Sequence, residues 1–159
     1  MSNNIISTAM RLVTVTPTVL NADAYDANDV LFDSTAVLNA CGGVDRPSIL
    51  QSLCFVDKDD QAAANLVFWF LSANVVFGAA DAAPSISDAN ALEILGSVPM
   101  ASSLILDVGG AKAGSLHNIG LVVKPATGTT TIWVACTTAG TPTQTIGGIQ
   151  LRLGFIDGY

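Results

Sequence analysis

Three carboxylates, Asp57, Asp59 and Asp60, stand beside the most aromatic run of the chain in the stretch FVDKDDQAAANLVFWF, residues 55–70. Acids at this spacing could ligate calcium, work as an acid/base pair, or cap a turn. An EF-hand-type loop beginning at Asp57 would require glycine at its sixth position and glutamate at its twelfth. Those positions hold Ala62 and Phe68, so no metal site is expected. Glycoside hydrolysis needs two carboxylates in opposed environments, whereas the acids here gather in turns, with Asp107 alone inside an apolar stretch. The cluster therefore reads as the polar turn of a hairpin between SLCFV and NLVFWF, its short side chains bonding their own backbone.

Other chemistry is equally thin. His117 is the only histidine, and Ser115 lies near it, but no G-x-S-x-G elbow or second base accompanies them. GGAKAGS (109–115) is glycine-rich but lacks the spacing that brings a P-loop lysine to a phosphate. Cys41, Cys54 and Cys136 form no C-x-x-C pair and suggest neither a disulfide framework nor a zinc site. They fit a reducing place of synthesis, as buried small hydrophobes. No catalytic residue, cofactor site or metal ligand is assigned, and an enzyme is not expected.

The composition narrows the partners. Half of the 159 residues are hydrophobic and 12% are charged, against about a quarter charged in ordinary soluble domains. Such a chain enters a membrane or buries extra surface against other subunits. Residues 62–80, AAANLVFWFLSANVVFGAA, carry no charge and approach the length of a spanning helix. Yet Asn65, Ser72, Asn74 and Gly78 interrupt the run, its densest part is β-branched and aromatic, and no basic cluster orients it. A strand is expected there, and no membrane partner. The net charge of −7 and six scattered basic residues leave no patch for phosphates, so nucleic acid is not expected either. The N-terminus, MSNNIISTAMR, lacks the basic and apolar regions of a signal peptide.

The elements that must position these residues are strands. Twelve of thirteen acids are Asp, glycines number fourteen, and Thr and Val are frequent, which favours strands joined by turns. MRLVTVTP places Val13 and Val15 on one face. SILQSLCFV places Ile49, Gln51, Leu53 and Phe55 together, and the last strand aligns Ile149, Leu151, Leu153 and Phe155. About eight such segments at near-regular spacing predict an all-β protein, an antiparallel, jelly-roll-like β-sandwich. One short helix is expected near residues 87–95, with Ser87 as N-cap and Gly96 at its C-terminal end. Residues 1–9 read as a polar N-terminal arm and residues 10–159 as one β-sandwich domain.

NLVFWFL is apolar on both faces, with Leu66, Phe68 and Phe70 opposing Val67, Trp69 and Leu71, and TIWVA repeats the pattern at Trp133. An antiparallel sheet ordinarily leaves one face to water, so a second cover is required. The helix or a long loop could supply it, but another copy of the subunit is the favoured cover. Met1, Ile5 and Ile6 of the arm, with Trp69 and Trp133, are the candidate residues for self-association or contact with a larger assembly.

FVDKDDQAAANLVFWF, SISDANALEILGSV and IGLVVKPATGTTTIWVACTTAGTPTQTIGGIQLRLGF together resemble small virion structural proteins of tailed bacteriophages, most closely the capsid decoration (cement) type. The resemblance implies a β-rich homotrimer, made in host cytoplasm, that binds the major capsid protein on the outer surface of the head. It implies no individual functional residue. Two other readings remain: a tail or head-fibre component, and a carbohydrate-binding module that uses Trp69 or Trp133 as a stacking platform.

Overall fold

Period-two alternation dominates the local pattern, and it is realised as strands almost throughout. The computed structural model describes residues 10–20 and 23–157; the arm residues Met1, Ile5 and Ile6 lie outside them. The strands are β1 (Met10–Val15), β2 (Val30–Val37), β3 (Ser48–Asp57), β4 (Leu66–Leu71), β5 (Ile94–Met100), β6 (Ile105–Asp107), β7 (Lys112–Val123), β8 (Ile132–Thr138) and β9 (Ile149–Asp157). All pair antiparallel, in sheets of order β1-β9-β3-β7-β6 and β2-β8-β4-β5. With the short rim strand β6 set aside, the chain changes sheet at every connection except β4–β5. That is the double Greek key of a jelly roll, as the alternation predicted.

The core lies between the sheets. Leu53 and Phe55 of β3 and Leu151, Leu153 and Phe155 of β9 face Phe68 and Phe70 of β4 and Ile132 and Val134 of β8, all buried in one cluster. Phe55 and Phe68 meet across the interior with ring centroids 6.2 Å apart and planes tilted by 54°, within the range where aromatic pairs attract beyond area burial.

Two expectations are corrected, each by pairing. In β3 the inward residues are Leu50, Leu53 and Phe55, while Ile49 and Gln51 are only half-buried. A register shift between Leu50 and Ser52 resets the alternation, as a bulge does. The side-chain amide of the bulged Gln51 donates to Asn118 Oδ1 at 3.2 Å, where β7 is itself irregular, with Asn118 at φ 58° and Gly120 at 70°.

The helix is a single turn, α1 (Asp88–Ala91), with Ser87 Oγ accepting from the Asn90 backbone N–H as anticipated. It stops long before Gly96. Leu92 is 86% exposed, so a longer helix would have no apolar surface to bury, and isolated helical turns are unfavourable. Residues 94–100 instead pair with β4, burying Val98 and Met100. A Cβ at Gly96 would collide with Leu121 of the facing sheet; this glycine permits close sheet packing and caps no helix.

Truncating the fully buried Phe68 leaves a cavity between the sheets. Phe68→Ala is therefore expected to lower unfolding stability by about 3–5 kcal/mol in urea titrations. A loss of under about 1 kcal/mol would contradict this core assignment.

Candidate functional site

The acidic stretch is a corner and not a hairpin turn, because β3 and β4 belong to different sheets. Asp57 is 4% exposed. Its Oδ1 accepts from the Asp59 N–H at 2.9 Å, and its Oδ2 from the Gln61 N–H at 3.1 Å and Gln144 Nε2 at 3.3 Å. Asp59 reaches the β8–β9 connection, accepting from the Thr145 N–H at 2.7 Å and its hydroxyl at 2.6 Å. Asp60 pairs with Lys112 at 2.6 Å, which also meets Asp107 at 3.0 Å. Hydrogen bonds to Asp60 and Asp107 hold the Lys112 ammonium above its ordinary pKa. The carboxylates thus point at N–H and O–H donors that fasten two loops, in part through their own backbone as expected. Asp57 and Asp59 are less solvated than a hairpin turn would leave them. Among the described residues no group of three His, Cys, Asp or Glu side chains could hold a metal ion.

His117 and Ser115 are exposed on the outer face of β7, opposite Ser52 and Cys54. Asp107 ends the rim strand, also exposed, and accepts from the Gly109 N–H at 2.8 Å. That bond, followed by Lys112, lowers its pKa. Burial pushes the Cys41 and Cys136 thiols up, while Cys54 is half-buried on the outer face.

Two surfaces have the shape of binding sites. The first surrounds Trp69, which is half-buried on the outward face of β4. Part of the second cover that the sequence required comes from a long loop of the chain itself, the connection between β4 and β5. Asp33 Oδ1 on β2 accepts from the Phe77 N–H at 2.8 Å. Asp81 and Ala82 exchange backbone hydrogen bonds with Val30, each 2.9 Å long. So anchored, Phe77 packs on Trp69 at 5.4 Å and, with Val30 and Ala135, forms a small core outside the sheet. The cover is partial: a groove of about 330 Å³ remains, with Val67, Trp69 and Thr137 among its lining and Asn28 and Asn65 also on it. Trp133 is half-buried on the same face of β8, paired with Ala36 and Leu71, and does not line this groove. No helix among the described residues is long and apolar enough to cross a membrane; residues 62–80 form a strand and part of this connection.

The second surface is the outer face of the other sheet. Register aligns Met10, Ile156, Ile49 and Val122 in one row across β1, β9, β3 and β7. At the strand spacing of about 4.8 Å this row is roughly 14 Å long. Met10, Leu12 and Val122 are 77%, 69% and 60% exposed. The row ends at β1, an edge with no further partner strand among the described residues. The β2 edge is bonded to Asp81 and Ala82, β5 contains Pro99, and β6 has three residues, all devices that blunt edges. β1 has neither proline nor acid, and its one charge, Arg11, turns under to pair with Asp157 and to donate to the Ala40 carbonyl at 2.9 Å.

The alternation of SILQSLCFV aligned Ile49 with Leu53 and Phe55, and Val122 and Ile156 were not singled out, because only cross-strand register brings these residues into one row with Met10. Asn28, Asn65 and Phe77 were missed for the same reason.

Two outcomes check these placements. Asp57→Asn is expected to destabilise by about 1–3 kcal/mol, since buried donors lose a charged acceptor, while millimolar calcium leaves the wild-type thermal midpoint unchanged; a calcium-dependent rise would contradict the donor-facing geometry. Of the three thiols, Cys54 alone is expected to react rapidly with Ellman's reagent in the folded protein, and Cys54→Ser should remove that phase; a second fast thiol would contradict the burial of Cys41 and Cys136.

No protein-family model matches the chain, and no curated protein is significantly similar to it in sequence, so the surfaces themselves must carry the functional reading.

Proposed function

We propose that this chain is a non-catalytic virion structural protein, a decoration protein that binds the outside of a tailed-phage head as a homotrimer and stabilises it. The observation that carries the reading is the apolar row Met10–Ile156–Ile49–Val122, flanked by exposed Leu12, on a sheet whose β1 edge has no further partner strand among the described residues. Contiguous apolar surface of this kind marks association. An open edge adds a line of backbone donors and acceptors that a partner strand can satisfy.

The low charge fraction fits the same reading, because this face leaves Met10, Leu12 and Val122 exposed to a partner. The resemblance of three long stretches to phage decoration proteins supplies the biological setting. A protein that binds only the assembled shell stabilises it by mass action, by an amount set by free concentration and dissociation constant. No bond-making residue is required. Specificity would come from the match of the apolar row and the β1 edge to the major capsid protein and to neighbouring copies.

The test separates folding from adhesion. Leu12→Asp with Val122→Asp alters two exposed side chains, and each is expected to change stability by under about 0.5 kcal/mol. Wild-type protein should sediment as a trimer at micromolar concentration, bind undecorated heads, and raise the temperature at which they rupture. The double variant should fold normally and lose head binding. Wild-type protein that stays monomeric and ignores heads, or a double variant that binds them undiminished, would contradict the proposal.

A further inference from the structure

The Trp69 groove lies on the outer face of the β2-β8-β4-β5 sheet, the opposite side of the sandwich from the apolar row. Its walls are held before any ligand arrives. Phe77 packs on the indole and is itself pinned through its N–H to Asp33. The indole Nε1–H donates to Thr137 Oγ1 at 3.5 Å, a long bond that a better acceptor could displace. Asn28 stands at φ 75°, with its backbone N–H bonded to the Thr138 carbonyl at 2.7 Å. That places its side-chain amide on the groove, where it has no hydrogen bond among the described residues. Asn65 spends its Oδ1 on the Ser102 N–H at 2.8 Å, which leaves its NH₂ group to donate.

The chemistry of the lining selects the ligand. No Lys, Arg, His, Asp or Glu contributes to it, although the chain carries a net charge of −7. A charged ligand would find no counter-charge here, and a cation no carboxylate. A purely aliphatic ligand would leave the amides of Asn28 and Asn65 and the Thr137 hydroxyl without a role. An indole and aliphatic floor with amide donors and acceptors at its margin matches a neutral ring that has one C–H face and hydroxyls around its rim. The volume, about 330 Å³, lies at the small end of ligand pockets and suits one or two such rings.

We propose that this groove is a binding site for neutral sugars, with a pyranose laid against Trp69 and its hydroxyls bonded to Asn28, Asn65 and Thr137. The site is independent of head binding, since it uses the other sheet.

The two indole N–H signals in a proton–nitrogen correlation spectrum provide the readout. The protein is titrated with glucose, galactose, mannose and N-acetylglucosamine and with their β-linked disaccharides. At least one sugar should move the Trp69 signal saturably while leaving Trp133 in place. Asn28→Gly keeps the positive φ and removes only the amide, and Asn65→Ala removes the second donor; each should weaken the effect about tenfold, as loss of a ligand hydrogen bond does. No saturable shift with any sugar, or a shift undiminished in both variants, would overturn the proposal. Because head binding is measured separately, failure here leaves the decoration reading intact.

Discussion

Strands β4 and β8 are apolar on both faces, and much of the architecture follows from the need to cover them twice. The facing sheet covers one side, where Phe68, Phe70, Ile132 and Val134 are fully buried. On the other side Trp69 and Ala135 would face water, and an antiparallel sheet has no built-in second layer. The β4–β5 connection becomes that layer. It crosses to the β2 edge, takes backbone hydrogen bonds from Val30 and a carboxylate from Asp33, and returns with Phe77 over the indole. One strap thereby blunts the β2 edge, completes a small outer core and leaves the groove beside Trp69.

The two outer faces of the sandwich differ in consequence. One is partly roofed by the chain and presents a preformed, uncharged groove. The other has no covering segment among the described residues, ends at the β1 edge and carries an apolar row. Between them the Asp57–Gln144 and Asp59–Thr145 bonds tie the β3–β4 corner to the β8–β9 connection. At the opposite end Arg11 ties β1 to Asp157 and to the β2–β3 connection. The charges closest to the core are thus spent on loop geometry.

How much of this was legible in the residues depends on whether the signal was local. β9 was plain, because Ile149, Leu151, Leu153 and Phe155 alternate without interruption. The two-sided character of β4 was equally plain, but its cover was not: nothing local in residues 72–87 says that they bond to Val30 and Asp33, more than forty positions upstream. Ser87 announced a helix and capped one, yet ILGSVPM followed its pairing with β4 and not its own propensity, as tertiary context commonly decides. The shift of Ile49 to the outer face required a bulge that only the paired strands reveal. Both candidate surfaces are products of register, and register is the quantity that a single sequence conceals best.

On the proposed function, one face of the sandwich adheres to the shell and the other stays free. The most direct measurement is an electron-microscopy map of the assembled particle at a resolution that separates strands. Met10, Leu12, Ile49 and Val122 are expected to be buried against the shell or a neighbouring copy, with the Trp69 groove open to solvent. A map in which the β1-β9-β3-β7-β6 face is bare and the groove is pressed against the shell would contradict the proposal.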